Sequence, residues 1–223
     1  MKLKSNIRLL ITCDSGAAAG KTTASKYLSK KYGLNLLTSG LLYRFVAAQL
    51  LARKKTINDN SFLKKITKNI RSKYLNSPNL YSLKVTSYTS EIAKVKKVRK
   101  LLKNYQKKFS KKKLAIIEGR DIGILFPKAD IKFFFKCSLN TAAYRRFKEF
   151  RKKNKNITLK EVKKAIRLRN LTDTKRKNSP LRVPKGAVII STSKLNKKQM
   201  FTKISNIVDK KLLQKYGRKY KQK

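Results

Sequence analysis

An apolar run, Ile7 to Thr12, leads into Asp14-Ser15-Gly16-Ala17-Ala18-Ala19-Gly20-Lys21-Thr22-Thr23, after which Ala24, Tyr27 and Leu28 recur at helical spacing. A strand that turns through small residues into Gly-Lys-Thr and then a helix constrains the fold more than any other stretch. That is how a chain builds a cradle for phosphate. Successive main-chain N–H groups point inward, the helix N-terminus adds its partial positive charge, and the lysine reaches the β- and γ-phosphates. Thr22 offers its hydroxyl to Mg²⁺. The spacing G-x-x-x-x-G-K-[ST] asks for glycine at position 15, but Ser15 stands there and the glycine falls one place later. Ser15 must therefore make a turn that glycine makes at no steric cost.

Further apolar and β-branched runs read as buried parallel strands: Leu114 to Ile117, Ile131 to Phe135 and Ala187 to Ser191, with a shorter one at Asn35 to Leu37. Helical patterns separate them. Lys21 to Tyr32 stops at Gly33; Leu41 to Lys54, segments around Ser61 to Tyr74, Val95 to Phe109, Thr141 to Lys152, Thr158 to Arg169 and Lys197 to Tyr216 follow. Thr158 with Glu161 three residues on forms a capping-box pair. Alternating strand and helix predicts an α/β fold, a five-stranded parallel sheet covered on both faces, with ligands at the C-terminal strand ends. Residues 55 to 90, rich in Asn, Ser and Pro turn signals, read as an insertion, and residues 217 to 223 as a frayed basic tail.

Composition narrows the function less than position does. Lys and Arg number 60 against 10 Asp and Glu, a formal charge of +50. Such a field attracts polyanions, yet the lysines are spread along the whole chain and form no recognition motif. Non-specific polyanion binding is expected, and no specific nucleic-acid partner. The scarce carboxylates say more: Asp14 lies at the phosphate loop, Glu118 and Asp121 flank Gly119-Arg120, and Asp173 sits in an arginine-rich segment. The absence of histidine excludes histidine-based metal sites and general bases. Cys13 and Cys137 have no metal-ligand spacing and read as free thiols of a reducing compartment. No apolar run reaches the length that crosses a bilayer, and the first apolar segment is too short for a signal-peptide core. A cytoplasmic, monomeric protein with no membrane contact is expected.

Three further strings occur at telling intervals: Thr38-Ser39-Gly40-Leu41-Leu42-Tyr43-Arg44, Glu118-Gly119-Arg120-Asp121-Ile122-Gly123 with Phe126-Pro127, and Arg169 to Leu181 with Asp173, Arg176 and Pro180-Leu181. Together with the phosphate loop they resemble the bacterial cytidylate kinases, nucleoside monophosphate kinases of the P-loop class, from Ile7 to about Leu213. The resemblance implies transfer of the γ-phosphoryl group of ATP to CMP or dCMP with Mg²⁺. It implies a core over about 1–44, 91–140 and 182–216, a substrate-binding insertion over about 45–90 and a mobile lid over about 141–181. By position, Ser15, Gly16, Ala17, Ala18, Ala19, Gly20, Lys21, Thr22 and Thr23 match the ATP phosphate loop. Ser39, Arg44 and Arg120 match residues around the CMP phosphate, and Ser90, Arg99 and Asp121 the cytosine-recognising positions. Arg169 and Asp173 match the sugar contacts, and Arg176 is a further substrate arginine. Arg145 and Arg146 begin the lid and, with Lys21 and Arg169, match the catalytic cations. Glu118, with Thr22, matches the metal site.

The chemistry agrees with this set. Phosphoryl transfer asks for positioning and for neutralisation of growing negative charge, which Lys, Arg and Mg²⁺ supply. Arginine grips phosphate oxygens at two points and keeps its charge. An ionised Asp121 accepts from the 4-amino group of cytosine and opposes the 4-carbonyl of uracil. The chain departs from the family's usual Asp-Gly-Pro-Ser-Gly-Ala-Gly-Lys loop at Ser15, Gly16, Ala17 and Ala18. It also carries Thr38 and Lys128 where acids are usual, and Ala142 where arginine is common. Two rivals remain at this stage: a related kinase acting on UMP or another small phosphate acceptor, and a basic nucleic-acid-binding protein whose loop has decayed.

Overall fold

The five apolar runs pair into one sheet. In the computed structural model, which describes residues 3–151 and 155–220, β1 is Leu9–Ser15, β2 Asn35–Thr38, β3 Leu114–Gly119, β4 Ile131–Lys136 and β5 Val188–Ser191, in the order β2-β3-β1-β4-β5. β1 lies between β3 and β4 in parallel register, with Cys13 opposite Glu118 and Phe133. β5 adds alongside β4 with Phe135 opposite Ile190. Both faces of the central strands are buried, which is why they read as continuous apolar runs. Leu9, Ile11, Cys13, Ile116, Phe133, Phe135 and Ile190 pack with Leu28 and Tyr32 of α1 (Lys21–Tyr32). Ile204, Val208 and Leu212 of α9 (Lys197–Tyr216) close the same core.

The chain divides into two compact units, Met1–Leu37 with Lys112–Lys223, and Thr38–Lys111. The first holds the sheet together with α6 (Ile122–Leu125), α7 (Leu139–Arg151) and α8 (Leu159–Lys175). The second is helical: α2 (Ser39–Ala52), α3 (Asn60–Lys68), two 3₁₀ turns, α4 (Leu83–Ile92) and α5 (Lys96–Ser110). Its buried residues include Leu42, Val46, Leu50, Leu63, Ile92, Val98 and Leu102. Among the described residues no helix is long and apolar enough to cross a membrane, and both cysteines are free.

The boundaries of α1 and α9 and the capping box of α8 are as the sequence predicts. Elsewhere tertiary contacts move them. β1 continues through Asp14 and Ser15, because Asp14 stays in register with Gly119 and Ser15 with Phe135. α8 runs six residues past Arg169, to Lys175, where the Arg176 N–H closes on the Thr172 carbonyl. Ser39 is the first residue of α2 and Thr38 its cap. α4, hidden in a stretch that reads as turns, starts where the Ser82 hydroxyl accepts from the Val85 N–H. The expected helix end at Lys152 lies outside the described residues, as do residues 221–223 of the tail. Residues 217–220, expected to fray, instead form a 3₁₀ turn, because Tyr220 is buried in the core and its carbonyl accepts the Lys4 N–H.

A second turn is fixed by the end of β1. Asp14 is fully buried and its two oxygens accept the N–H groups of Ile122 (2.9 Å) and Gly123 (2.6 Å). A Cβ at position 123 would lie 2.6 Å from Pro184 Cγ and 3.2 Å from Asp14 Oδ2, so only glycine fits. This clamp sets the direction in which Arg120 and Asp121 leave β3.

Candidate active site

Residues 16–20 join β1 to α1. Gly20 caps α1 at φ 84° and Ala18 sits at φ 54°, so the loop turns twice through the left-handed region, once without glycine. α1 therefore starts with its free N–H groups facing the loop, and no side chain caps it. That arrangement favours an anion.

Lys21 and Thr22 open α1, and both are held by one carboxylate. Lys21 Nζ donates to Glu118 Oε2 at 3.2 Å, and Thr22 Oγ1 to Glu118 Oε1 at 3.1 Å. Glu118 lies at the end of β3 and is wholly buried. A buried carboxylate must be paired, and here its partners are the cation and the hydroxyl that a polyphosphate and its counter-ion require. Thr23 follows in the same turn of α1. The burial of Cys13 under this loop pushes its thiol up to about 12, so it is not a nucleophile.

The loop's main chain is gripped from three sides. Arg120 Nη1 donates to the Ser15 carbonyl at 3.0 Å, the Ala17 N–H donates to Asn170 Oδ1 at 2.8 Å, and Thr192 Oγ1 donates to the Ala19 carbonyl at 3.1 Å. Ser15 turns its own hydroxyl back to the Gly16 carbonyl.

A second cluster of alternating charge lies between β3 and α6 and at the C-terminal end of α8 in the same unit. Arg120 Nη1 meets Asp173 Oδ2 at 3.2 Å, Arg176 Nη1 meets Asp173 Oδ1 at 3.2 Å, and Arg176 Nη2 stands 3.6 Å from Asp121 Oδ1. Arg176 also donates through Nε to the Ser179 carbonyl, and the Leu181 N–H closes on the Asp173 carbonyl. Burial pulls the Arg120 guanidinium down to about 10, against the opposing pull of Asp173, and it stays charged at neutral pH. Two arginines and two carboxylates neutralise each other here, yet the Asp173 Oδ2 atom is buried without a hydrogen-bond partner among the described residues, so the cluster keeps hydrogen-bonding capacity for an anionic, polar ligand.

The other predicted residues are placed as follows. Arg145 donates to the Thr192 carbonyl at 2.6 Å and to its hydroxyl at 3.1 Å, tying α7 to the end of β5. Arg146 pairs with Glu149 at 2.8 Å and lies over the Phe150 ring. Arg169 is exposed on α8. Within the helical unit, Arg44 Nη1 donates to the Leu80 carbonyl and to Thr86 Oγ1, with Tyr81 beneath the guanidinium. Arg99 donates to the Ala93 carbonyl and covers the Tyr43 ring. Ser39 is buried and Ser90 is exposed on α4.

The structure adds two residues that the sequence reading missed, Asn170 and Thr192. Asn170 left a trace: Val162, Ile166 and Asn170 recur every four residues, so an amide continues a buried apolar stripe of α8. Thr192 left none, since its role depends on β5 ending beside the loop.

A family model described as cytidylate kinase matches residues 11–210. The chain is 34% identical over 209 residues to the cytidylate kinase of Thermosipho africanus, a match covering 89% of this chain and 93% of that one. It is 32% identical over 213 residues to the cytidylate kinase of Fusobacterium nucleatum, covering 91% and 98%. In fold it is similar to the crystal structure of an uncharacterised protein from Eubacterium ventriosum, with a TM-score of 0.52 at 13% identity, covering 91% of this chain and 99% of that one.

Proposed function

The chain belongs to the cytidylate kinase family, and from that premise we propose how its residues divide the work of passing the γ-phosphoryl group of ATP to CMP or dCMP. The observation that carries the reading is the shared hold of Glu118 on Lys21 and Thr22. When the triphosphate arrives, Lys21 exchanges a carboxylate for phosphate oxygens and neutralises the charge that grows during transfer. Residues 15–23 cradle the phosphates through main-chain N–H groups other than that of Ala17, which donates to Asn170.

Thr22 and Glu118 are the residues that would hold Mg²⁺. Among the described residues no cluster of three acidic or sulfur and nitrogen ligands exists. One hydroxyl and one carboxylate suit an ion that keeps several waters and takes its other ligands from phosphate. Mg²⁺ would supply neutralisation of the negative charge that grows during transfer.

The charge cluster supports the acceptor roles. Arg120 binds the CMP phosphate, Asp173 and Arg169 the sugar, and Asp121 the cytosine amino group, with Arg176 as a further substrate arginine. Ser39, Arg44, Ser90 and Arg99 complete the acceptor set on the resemblance. Arg145 and Arg146 act in the lid over about 141–181. Arg145, bound to Thr192, starts from a fixed position and its cationic role requires that this pair opens. The protein works as a cytoplasmic monomer.

The reading is tested by ADP release with a panel of nucleoside monophosphates on parent and Lys21→Met protein. CMP and dCMP should be the preferred acceptors. Lys21→Met takes the paired cation from buried Glu118, so it should melt below the parent. At temperatures where it is folded it should lose turnover by several kcal/mol of barrier, on the order of 10³-fold. Retention of more than about a tenth of parental turnover would refute the loop assignment.

A further inference from the structure

We infer that Asn170 is a positioning residue for the phosphate loop, holding its main chain in the cradle shape that this sequence, short of glycine, does not hold by itself. The inference rests on the reading of residues 15–23 as the ATP loop, and it concerns a residue that lies within the Arg169 to Leu181 string but has no role assigned to it there.

Three observations lead to it. The Ala17 N–H, in the middle of the loop, donates to Asn170 Oδ1 at 2.8 Å. The amide orientation is fixed by this bond, because an N–H can only meet the oxygen end. Next, the amide lies over the neighbouring residue. A Cβ built on Gly16 would meet Asn170 Oδ1 at 3.2 Å, Nδ2 at 3.3 Å and Cγ at 3.4 Å. The displaced glycine of the loop thus has a reason: position 16 is bare where the amide of α8 packs on it. Finally, Ala18 sits at φ 54°. A side chain in the left-handed region persists where surrounding contacts over-determine it.

Those contacts fall on alternate residues. Ser15 is held through its carbonyl, Ala17 through its N–H and Ala19 through its carbonyl, and Ala18 lies between the last two. Arg120, which holds Ser15, is itself paired with Asp173, three residues beyond Asn170 on α8. One helix therefore supports the loop at two points, directly through Asn170 and by way of Arg120. A preformed loop binds phosphate without first being ordered, so Asn170 acts on ATP affinity through the loop rather than on the transfer itself.

Asn170→Ala removes the acceptor while placing the best helix former on a half-buried helix position, so folding is preserved. Steady-state kinetics with ATP and CMP varied in turn should show KM for ATP raised about fivefold to tenfold, the range of one lost hydrogen bond. KM for CMP should stay within about twofold of parent and Tm within a few degrees. Ala18→Gly in the Asn170→Ala background should recover most of the loss, since glycine adopts φ 54° without strain. Gly16→Ala should weaken ATP binding in the parent and add little once Asn170 is alanine. An unchanged or lowered KM for ATP in Asn170→Ala overturns the inference, as does failure of Ala18→Gly to rescue. A parent with no ATP- and CMP-dependent ADP release overturns the loop assignment and the inference with it. An active parent indistinguishable from Asn170→Ala overturns the inference alone.

Discussion

Asp14 offers the sharpest test of the architecture under the candidate active site, because its burial and its hydrogen bonds oppose each other. Desolvation raises its carboxyl from 3.8 to about 6, while the N–H groups of Gly123 and Ile122 pull it down and the nearby Asp121 charge pushes it up. In the unfolded chain the group loses its proton near 4; in the folded protein it keeps it to about 6. Between those values the native state binds the extra proton, so the contribution of Asp14 to stability is full below pH 4 and is lost as pH rises to 6. About two pKa units correspond to ~3 kcal/mol, which for a chain of this length is roughly 6 to 12 °C in Tm.

Asp14→Asn isolates that effect. The amide does not titrate, and every other ionisable group is common to both proteins, so the difference in stability between parent and variant carries the Asp14 contribution. The advantage of the parent over Asp14→Asn should shrink by about 3 kcal/mol between pH 4 and pH 7. At neutral pH the parent still has two acceptors for two N–H groups, whereas the variant turns an NH₂ toward one of them, at a cost of about 1–3 kcal/mol. Urea unfolding of both proteins at pH 4, 5, 6 and 7, at an ionic strength high enough to screen the surface lysines, measures the difference directly. A difference that is flat with pH, or that grows toward neutrality, would refute the account of Asp14 as a carboxyl held protonated by burial.

Two further outcomes are expected. Asp121→Asn should lower kcat/KM for CMP and narrow the gap to UMP, because its amide donates to a 4-carbonyl where the carboxylate repels it; discrimination of this kind reaches roughly 10⁴ in favourable sites. dCMP should track CMP in both proteins, and an unchanged CMP/UMP ratio would move base recognition away from Asp121. Any binding of RNA by this chain, with its formal charge of +50, should be sequence-blind and fall steeply between about 50 and 200 mM salt, while ADP release changes far less. Salt-resistant, sequence-selective binding, read by fluorescence anisotropy, would contradict that.

Much of the fold was legible because local and global signals coincide. α1 ends where Gly33 takes φ 66°, and α9 begins at a capping box between Asn196 and Gln199, so both helices carry their own punctuation. The central strands were legible as apolar runs because parallel strands are buried on both faces. Their ends were not. Asp14, Glu118 and Ser15 look like loop residues by type, and they continue the strands only because each finds a partner supplied by another segment: Ile122 and Gly123, Lys21 and Thr22, Arg120.

The same reason separates what could be read in the site from what could not. Lys21, Arg120, Asp121, Asp173 and Arg176 stand out because charge on a buried or half-buried position is costly and so implies a task. Asp173 illustrates the limit: its i+3 partner Arg176 is visible in sequence, whereas its bond to Arg120, fifty-three positions earlier, needs the β3–α8 approach. Neutral polar residues carry a weaker signal still. Asn170 is one amide in a helix with many polar neighbours, and only its place in the stripe of Val162 and Ile166 marks it as inward-facing. A stripe in which an amide replaces the expected aliphatic is thus the pattern to search for where a phosphate loop lacks its glycines. The hydrogen bond that such a loop needs must come from a side chain which the loop's own motif does not contain.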